Sequence, residues 1–344
     1  MRVLVTGGTG FVGSHVVRNL LASGHSVRLL VRDVDRATAM GTSAGWVMEA
    51  NDPVPAIEFA QGDITDPGSV GEAIAGCDAL VHAAAGTPIR TRSVDEMFAV
   101  NVAGVKHVVA SALAQGIERI VVVSSITAIF NADASKVTAD APPARSNMPY
   151  GKSKVEAEHY LRALQDEGAP IAIVYPGGVI GPDDPGFSDT CMALKHRIEN
   201  GFRIFGQGGM QHVDVRDLAA FIDSLITQGG TGRFLLPGVY LTWTELADTI
   251  ERVSGCTLLR IPAQGWKLRM MGRLIDVVRK FRTVDAPISA ETMRYATLWP
   301  NIANTDELHA RNLLLRDPAE TFVDTLRWMV KAGHLEPQRC PQLQ

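Results

Sequence analysis

Short apolar runs and segments of helical period alternate through the first half of this chain. Val3-Leu4-Val5 runs into a glycine cluster, Gly7, Gly8 and Gly10. Over 11–23 apolar residues recur at helical spacing, and Gly24 stops them. Residues 27–31, 57–60 and 79–81 read as the next three strands. Between the last two, Asp66-Pro67 opens a helix, an N-cap acceptor followed by proline at the first helical position. Residues 95–114 predict one long helix closed by Gly116, and 120–123 a β-branched strand buried on both faces. Residues 150–165 predict a helix stopped by Gly168 and Pro170, with a sixth strand over 171–175. Repeated β-α units of this length give an α/β, Rossmann-type doubly wound parallel sheet.

After Pro176 glycine and proline rise and the alternation is lost. Residues 213–226 read as a strand end plus helix and 234–236 as a strand, so one more unit returns to the sheet. The expected division is 1–178 plus about 207–238 for a dinucleotide-binding domain. The complement, about 179–206 plus 239–344, forms a smaller, mainly helical substrate domain. The length of 344 residues suits two domains. With 33 basic against 37 acidic residues, a net charge of −4 gives no footprint for nucleic acid. Cys77, Cys191, Cys256 and Cys340 are scattered and read as reduced thiols, and no His/Cys/Asp/Glu spacing suggests a metal. With neither a secretory leader nor an apolar run near the roughly 18 residues of a bilayer span, the expected location is cytoplasmic.

The segment Thr6-Gly7-Gly8-Thr9-Gly10-Phe11-Val12-Gly13 lies between a strand and a helix. Glycines there allow a tight turn and a close approach to a pyrophosphate, which the helix N-terminus stabilises. Further along come Gly62-Asp63-Ile64, His82-Ala83-Ala84-Ala85, Asn101-Val102-x-Gly104, Ser124-Ser125, Tyr150-Gly-Lys-Ser-Lys154, Pro176-Gly177-x-x-x-Gly181-Pro182 and the segment 212–217. In that order these motifs resemble the extended short-chain dehydrogenase/reductase family, up to about residue 240. The resemblance implies a nicotinamide dinucleotide held by Gly7, Gly10, Phe11, Val12 and Gly13. It adds Asp63 and Ile64 at the adenine, Ala83, Ala84 and Ala85 along the cofactor, and Tyr150, Lys154, Pro176, Gly177 and Val179. At the tip of the second strand Arg32 favours a 2′-phosphate, with Arg28 or Arg36 assisting, and resembles NADP-dependent dihydroflavonol-reductase-like members. Asp33, twenty residues past Gly13, is the competing signal for NAD.

Carbonyl reduction needs a proton donor at the oxygen opposite the hydride. A lysine one turn from a tyrosine places positive charge beside the phenolate, and Tyr150 and Lys154 share a helix face. By resemblance Tyr150 is the general acid or base, Lys154 lowers its pKa and holds the ribose, and Ser125 binds the substrate oxygen, with Ser124 and Thr127 as alternatives. Asn101 supports either the helix backbone or a water. Where relatives often have Tyr-Gly, Phe130-Asn131 removes a polar group from the pocket wall. Ile126-Thr127 after Ser125 supplies no acid for a dehydratase.

The expected reaction is NADP-dependent interconversion of a small or apolar carbonyl compound and its alcohol. The alternatives are a nucleotide-sugar epimerase with retained NAD and a non-catalytic NADP-sensing regulator. Phe187, Met192, Phe202, Phe205, Met210, Trp243 and Trp266 offer apolar pocket surface or core, and Arg203 and Arg216 are the cations open to a diphosphate. A small-molecule substrate is the expected partner, and relatives are often homodimers. One segment lies outside the family pattern: 266–282 is an amphipathic helix with Lys267, Arg269, Arg273, Arg279, Lys280 and Arg282 against Asp276 alone. It suits either packing on the substrate domain or a peripheral membrane contact.

Overall fold

A computed structural model describes residues 1–44, 46, 57–88, 91–131, 137–279, 281–282, 289–302 and 306–343. The first half runs β1 (Arg2–Thr6), α1 (Phe11–Ala22), β2 (Ser26–Val31), α2 (Val34–Ser43), β3 (Ile57–Gln61), α3 (Pro67–Ile74) and β4 (Ala79–His82). It continues with α4 (Val94–Phe98), a π-helical turn (Ala99–Gly104), α5 (Val105–Ala114), β5 (Ile120–Val123), α6 (Pro149–Asp166) and β6 (Ile171–Pro176). The second half holds β7 (Gly178–Ile180), α7 (Asp189–Asn200), β8 (Phe202–Phe205), β9 (Gly209–Asp214), α8 (Val215–Gln228), β10 (Gly232–Leu236) and β11 (Val239–Thr242). Then come α9 (Trp243–Ser254), β12 (Arg260–Ala263), α10 (Gly265–Val278), α11 (Ala290–Leu298), α12 (Asp306–His309) and α13 (Pro318–Lys331).

Seven strands form one parallel sheet in the order β10-β6-β5-β4-β1-β2-β3. Side chains alternate across it, so both faces are apolar. Leu4, Leu80, Ile120 and Ile173 pack against α3, α5 and α6 on one side. Val3, Val5, Leu29, Val81 and Val174 meet α1 and α8 on the other. Strand order reverses between β1 and β4, where Thr6 lies beside His82, and ligands of open α/β sheets bind at such a point beyond the strand C-termini.

Three expectations change. The expected single helix over 95–114 starts at Val94, capped by Ser93, and widens into a π turn around Asn101. The whole of Val94–Ala114 is long and apolar enough to cross a membrane by length and composition. Its Val105, Val108, Val109 and Ala112 instead pack in the core. In the returning unit, α8 and β10 join the large sheet but β9 does not. It pairs with β7 and β11 in a separate three-stranded sheet. Finally, Leu308, Leu313 and Leu315 pack with α8 and α1, and Trp299 and Ile302 with the opposite face. The residues after 239 are therefore not all gathered in the third cluster, which α7, α9 and α13 build around Phe202 and Trp243.

Candidate active site

The β1–α1 turn is shaped by what glycine leaves out. Gly7 has φ +73°, and a Cβ there would stand 2.5 Å from the Ala84 backbone nitrogen. A Cβ on Gly13 would stand 2.1 Å from the Gly7 carbonyl oxygen. The turn, the first helical residues and the Ala83-Ala84 segment can close on one another only without these side chains. Gly10 is the N-cap of α1 and brings no side chain to the N–H groups of Phe11, Val12 and Gly13. Those donors, with the positive end of the helix dipole, suit a pyrophosphate. The residues present fit a dinucleotide.

Around this cradle, Ala83 N–H donates to the Thr6 carbonyl at 3.1 Å. Ile64 is buried against Gly104, while Asp63 Oδ1 accepts from the Thr65 N–H and hydroxyl. Pro176 ends β6, Gly177 N–H donates to the Leu236 carbonyl at 3.1 Å, and Val179 pairs with Val213. Arg32 is exposed just beyond the tip of β2. Asp33 is the N-cap of α2, its Oδ1 accepting from the Arg36 N–H at 2.9 Å. Arg28 cannot assist at the ribose, because Glu58 and the Ala73 and Ala75 carbonyls hold its guanidinium.

The expected chemical residues meet on α6 and the loop after β5. Pro149 at the first helical position starts α6, so Tyr150 and Lys154 stand one turn apart with the ammonium 5.8 Å from the phenol ring centroid. Ser125 stands near enough to Tyr150 to act on its phenol, and the Thr127 hydroxyl donates to Ser125 Oγ at 2.9 Å. Ser124 lies elsewhere, 3.5 Å from Glu158. Burial pushes the Tyr150 phenol up to about 12, with Ser125 pulling the other way. The expected lowering by Lys154 is not among the causes. Burial instead pushes the Lys154 ammonium down to about 8, opposed by the charge of Glu158. His82 is neutral, pushed down to about 3 by burial and then by Lys154, and its Nδ1 lies 2.7 Å from the Thr6 hydroxyl.

Asn101 has a structural part with a direct bearing on the site. Its amide accepts from the Gly86 N–H at 2.7 Å and donates to the Gly86 carbonyl at 2.9 Å. It also donates to Ser153 Oγ at 2.9 Å, and Ser153 in turn donates to the Tyr150 carbonyl. One side chain thus ties the segment after β4 to the turn of α6 bearing Tyr150, and the π turn is what carries it there.

Sequence reasoning missed a second set of residues. Glu158, fully buried, accepts from Arg162 Nε at 2.5 Å and from the Tyr175 hydroxyl. The spacing Tyr150, Lys154, Glu158, Arg162, four residues each time, was the available signal, since such residues stack on one helix face. From α11, Glu291 accepts from the Ser146 hydroxyl and the Asn147 N–H, clamping the approach to α6. Tyr295 and Trp299 stack on Phe130 at 4.4 and 4.6 Å between centroids.

Other expected residues lie apart. Phe202 and Trp243 are core, and Phe187 stacks on His334. Trp266 is 54% exposed on α10 and lies outside the buried apolar clusters. Arg216 is held by Asp214 at 2.7 and 2.9 Å and by Asp324 at 2.6 Å, so its charge is already matched. Among the described residues no His, Cys, Asp and Glu side chains cluster in threes as a metal site.

The glycine turn, the strand order and the Tyr–Lys helix define the class of dinucleotide-dependent enzymes built on a Rossmann sheet. A family model described as the NAD dependent epimerase/dehydratase family matches residues 3–236, and the chain belongs to that family, as an NAD(P)-dependent enzyme of the extended short-chain dehydrogenase/reductase type. It is similar to sterol demethylase protein B of Methylococcus capsulatus, 30% identical over 74% of this chain and 75% of the relative. A putative dihydroflavonol 4-reductase of Synechocystis is 32% identical over 63% of this chain and 60% of its own length. The solved structure of Thermus thermophilus UDP-glucose 4-epimerase with NAD superposes with a TM-score of 0.69. It is 22% identical and covers 96% of this chain and 100% of its own, a likeness of fold.

Proposed function

We propose that this protein is an NADP-preferring oxidoreductase that interconverts an apolar aldehyde or ketone and its alcohol. The observation that carries the reading is Lys154 standing one helical turn from Tyr150, 5.8 Å from its ring centroid, with Ser125 near the phenol. When bound, the nicotinamide supplies or accepts the hydride. Gly7, Gly10, Phe11, Val12 and Gly13 would hold its pyrophosphate, and Lys154 its ribose. In reduction Ser125 orients the carbonyl oxygen and Tyr150, protonated up to about 12, gives it a proton. The Lys154 ammonium stabilises the phenolate that this leaves, and solvent returns the proton. In oxidation the same residues work in reverse.

An apolar substrate agrees with the Phe130–Tyr295–Trp299 stack and with the neutralised Arg216, which leaves no grip there for a diphosphate. Relatives whose names refer to a sterol and a dihydroflavonol support it further. One observation favours the epimerase reading: Arg197 lies between Phe202 and Trp243 with no carboxylate partner among the described residues. The deciding experiment is NADPH oxidation with a panel of aldehydes, ketones and nucleotide-sugars. Turnover of nucleotide-sugars alone, with no net NADPH consumption, replaces the reductase with the epimerase.

NADP preference rests on the capping role of Asp33, which commits that carboxylate to α2, beside the exposed Arg32 and Arg36. NADPH is expected to bind at least roughly tenfold tighter than NADH, and Arg32→Ala to erase most of the difference, the scale of a charge-assisted hydrogen bond. Tighter binding of NADH by titration calorimetry overturns the assignment.

The reduction rate should also report Lys154. Below about 8 the ammonium is charged and stabilises the phenolate; as pH rises through that value the charge is lost while Tyr150 still holds its proton. kcat/KM for reduction is therefore expected to fall above pH 8. A profile flat to pH 10, about the ordinary value for lysine, contradicts this.

A further inference from the structure

Helix α10 is turned inside out. At 100° per residue, Trp266, Met270, Met271, Leu274, Val277 and Val278 occupy an arc of about 140°, and every one is exposed. Leu274 is 64% exposed, and Phe281 in the following turn 83%. The side toward the protein is tight and mixes polar contacts with the half-buried Leu268 and Ile275. A Cβ on Gly272 would stand 2.5 Å from the Ser289 carbonyl oxygen. Asp276 Oδ2 accepts from the Ala290 N–H at 2.8 Å, and Arg269 donates to the Thr297 hydroxyl at 2.8 Å. The basic residues expected opposite the apolar stripe are thus partly turned inward, and Lys280 lies outside the described residues. Lys267, Arg273 and Arg282 are exposed at the stripe and its edges, with the Lys267 ammonium 5.6 Å from the Trp266 ring centroid. The one acid of the helix, Asp276, is spent on Arg279 at 3.2 Å and on the Ala290 N–H.

A soluble helix ordinarily turns its apolar face to the core, and a contiguous exposed stripe marks an interaction surface. Charge complementarity says which. An apolar arc edged by cations that have no carboxylate partner among the described residues, with aromatic rings at both ends, suits the boundary between anionic headgroups and acyl chains, where the stripe inserts and the cations meet phosphates. A polar or cationic protein partner would leave either the stripe or the charges unmatched. We propose that α10 docks this protein, in the plane of the interface, on a lipid bilayer carrying anionic headgroups. The docking rests on α10 alone and is independent of the reaction catalysed.

The test is co-sedimentation of the full chain with vesicles of phosphatidylcholine and of phosphatidylcholine mixed with phosphatidylglycerol. Binding is expected to the mixed vesicles, weakened in about 1 M salt where screening is short-ranged. Leu274→Glu with Phe281→Glu is expected to weaken it at least about tenfold, from the apolar surface that no longer inserts. Lys267→Gln with Arg273→Gln should weaken it about fivefold for each charge removed. All four side chains are exposed, so both variants should keep the wild-type thermal transition. Absence of vesicle binding overturns the proposal, as does equal binding to phosphatidylcholine alone. Self-association in lipid-free sedimentation that Leu274→Glu abolishes overturns it too, by assigning the face to a second copy of the chain.

Discussion

Tyr150→Phe should cost about 10²- to 10⁴-fold in kcat for carbonyl reduction, the usual worth of a positioned general acid. NADPH affinity should change little. The substitution removes one oxygen and leaves the ring beside Lys154 in place. The split between turnover and cofactor affinity matters. A protein that only senses NADP has no use for the hydroxyl and would show no turnover in the wild type to lose. Retention of more than a tenth of wild-type turnover would show that another group gives the proton. Ser125, the hydroxyl that acts on the phenol, would be the first to replace.

The second large effect concerns Glu158. Its carboxylate accepts from Arg162 and Tyr175, and none of it reaches solvent. Glu158→Leu leaves the Arg162 guanidinium and the Tyr175 hydroxyl without their acceptor. Breaking one side of a buried pair costs about 3–5 kcal/mol, measurable by urea denaturation. Glu158→Gln, which keeps an acceptor oxygen, should cost less. A loss below about 1 kcal/mol for Glu158→Leu would mean that Arg162 and Tyr175 find other partners. The gentler variant has a second readout, because the Glu158 charge holds the Lys154 ammonium up against burial. With that charge gone, the break in the pH profile of reduction should move to lower pH. A role confined to packing would leave the break where it is.

The parallel sheet was legible because β-branched runs such as Ile120-Val121-Val122-Val123 leave little else to form, and Asp66-Pro67 and Gly24 mark helix ends by local chemistry. Tyr150, Lys154 and the glycines stand out because each belongs to a pattern of local spacing. What escaped depends on contacts between distant segments. Nothing near Glu291 shows that it will reach back 144 and 145 positions to Asn147 and Ser146, nor does Phe130 signal its stack on Tyr295 and Trp299. The π turn at Asn101 is hidden for the same reason, since its partners are Gly86 and Ser153. With α10 the pattern was plain but its orientation was not. Periodicity finds an apolar face without saying whether the core or something outside receives it. Arg216 looked available because Asp324, 108 positions away, is invisible as its partner.

The route of the chain after α11 bears on how this protein could be reworked. Trp299 and Ile302 return to one face of the large sheet, with the Ile302 N–H and the Trp299 indole both bound to Gln211. Leu308, Leu313 and Leu315 then return to the other face, and Arg316 is anchored to Asp217. The C-terminal third is laced through the scaffold rather than appended to it. Grafting the substrate-facing part of a relative onto this scaffold by a single splice near residue 239 would cut that lacing and strip α8 of its cover. A chimera that keeps 299–316 native, and exchanges only the pieces on either side, preserves both seams.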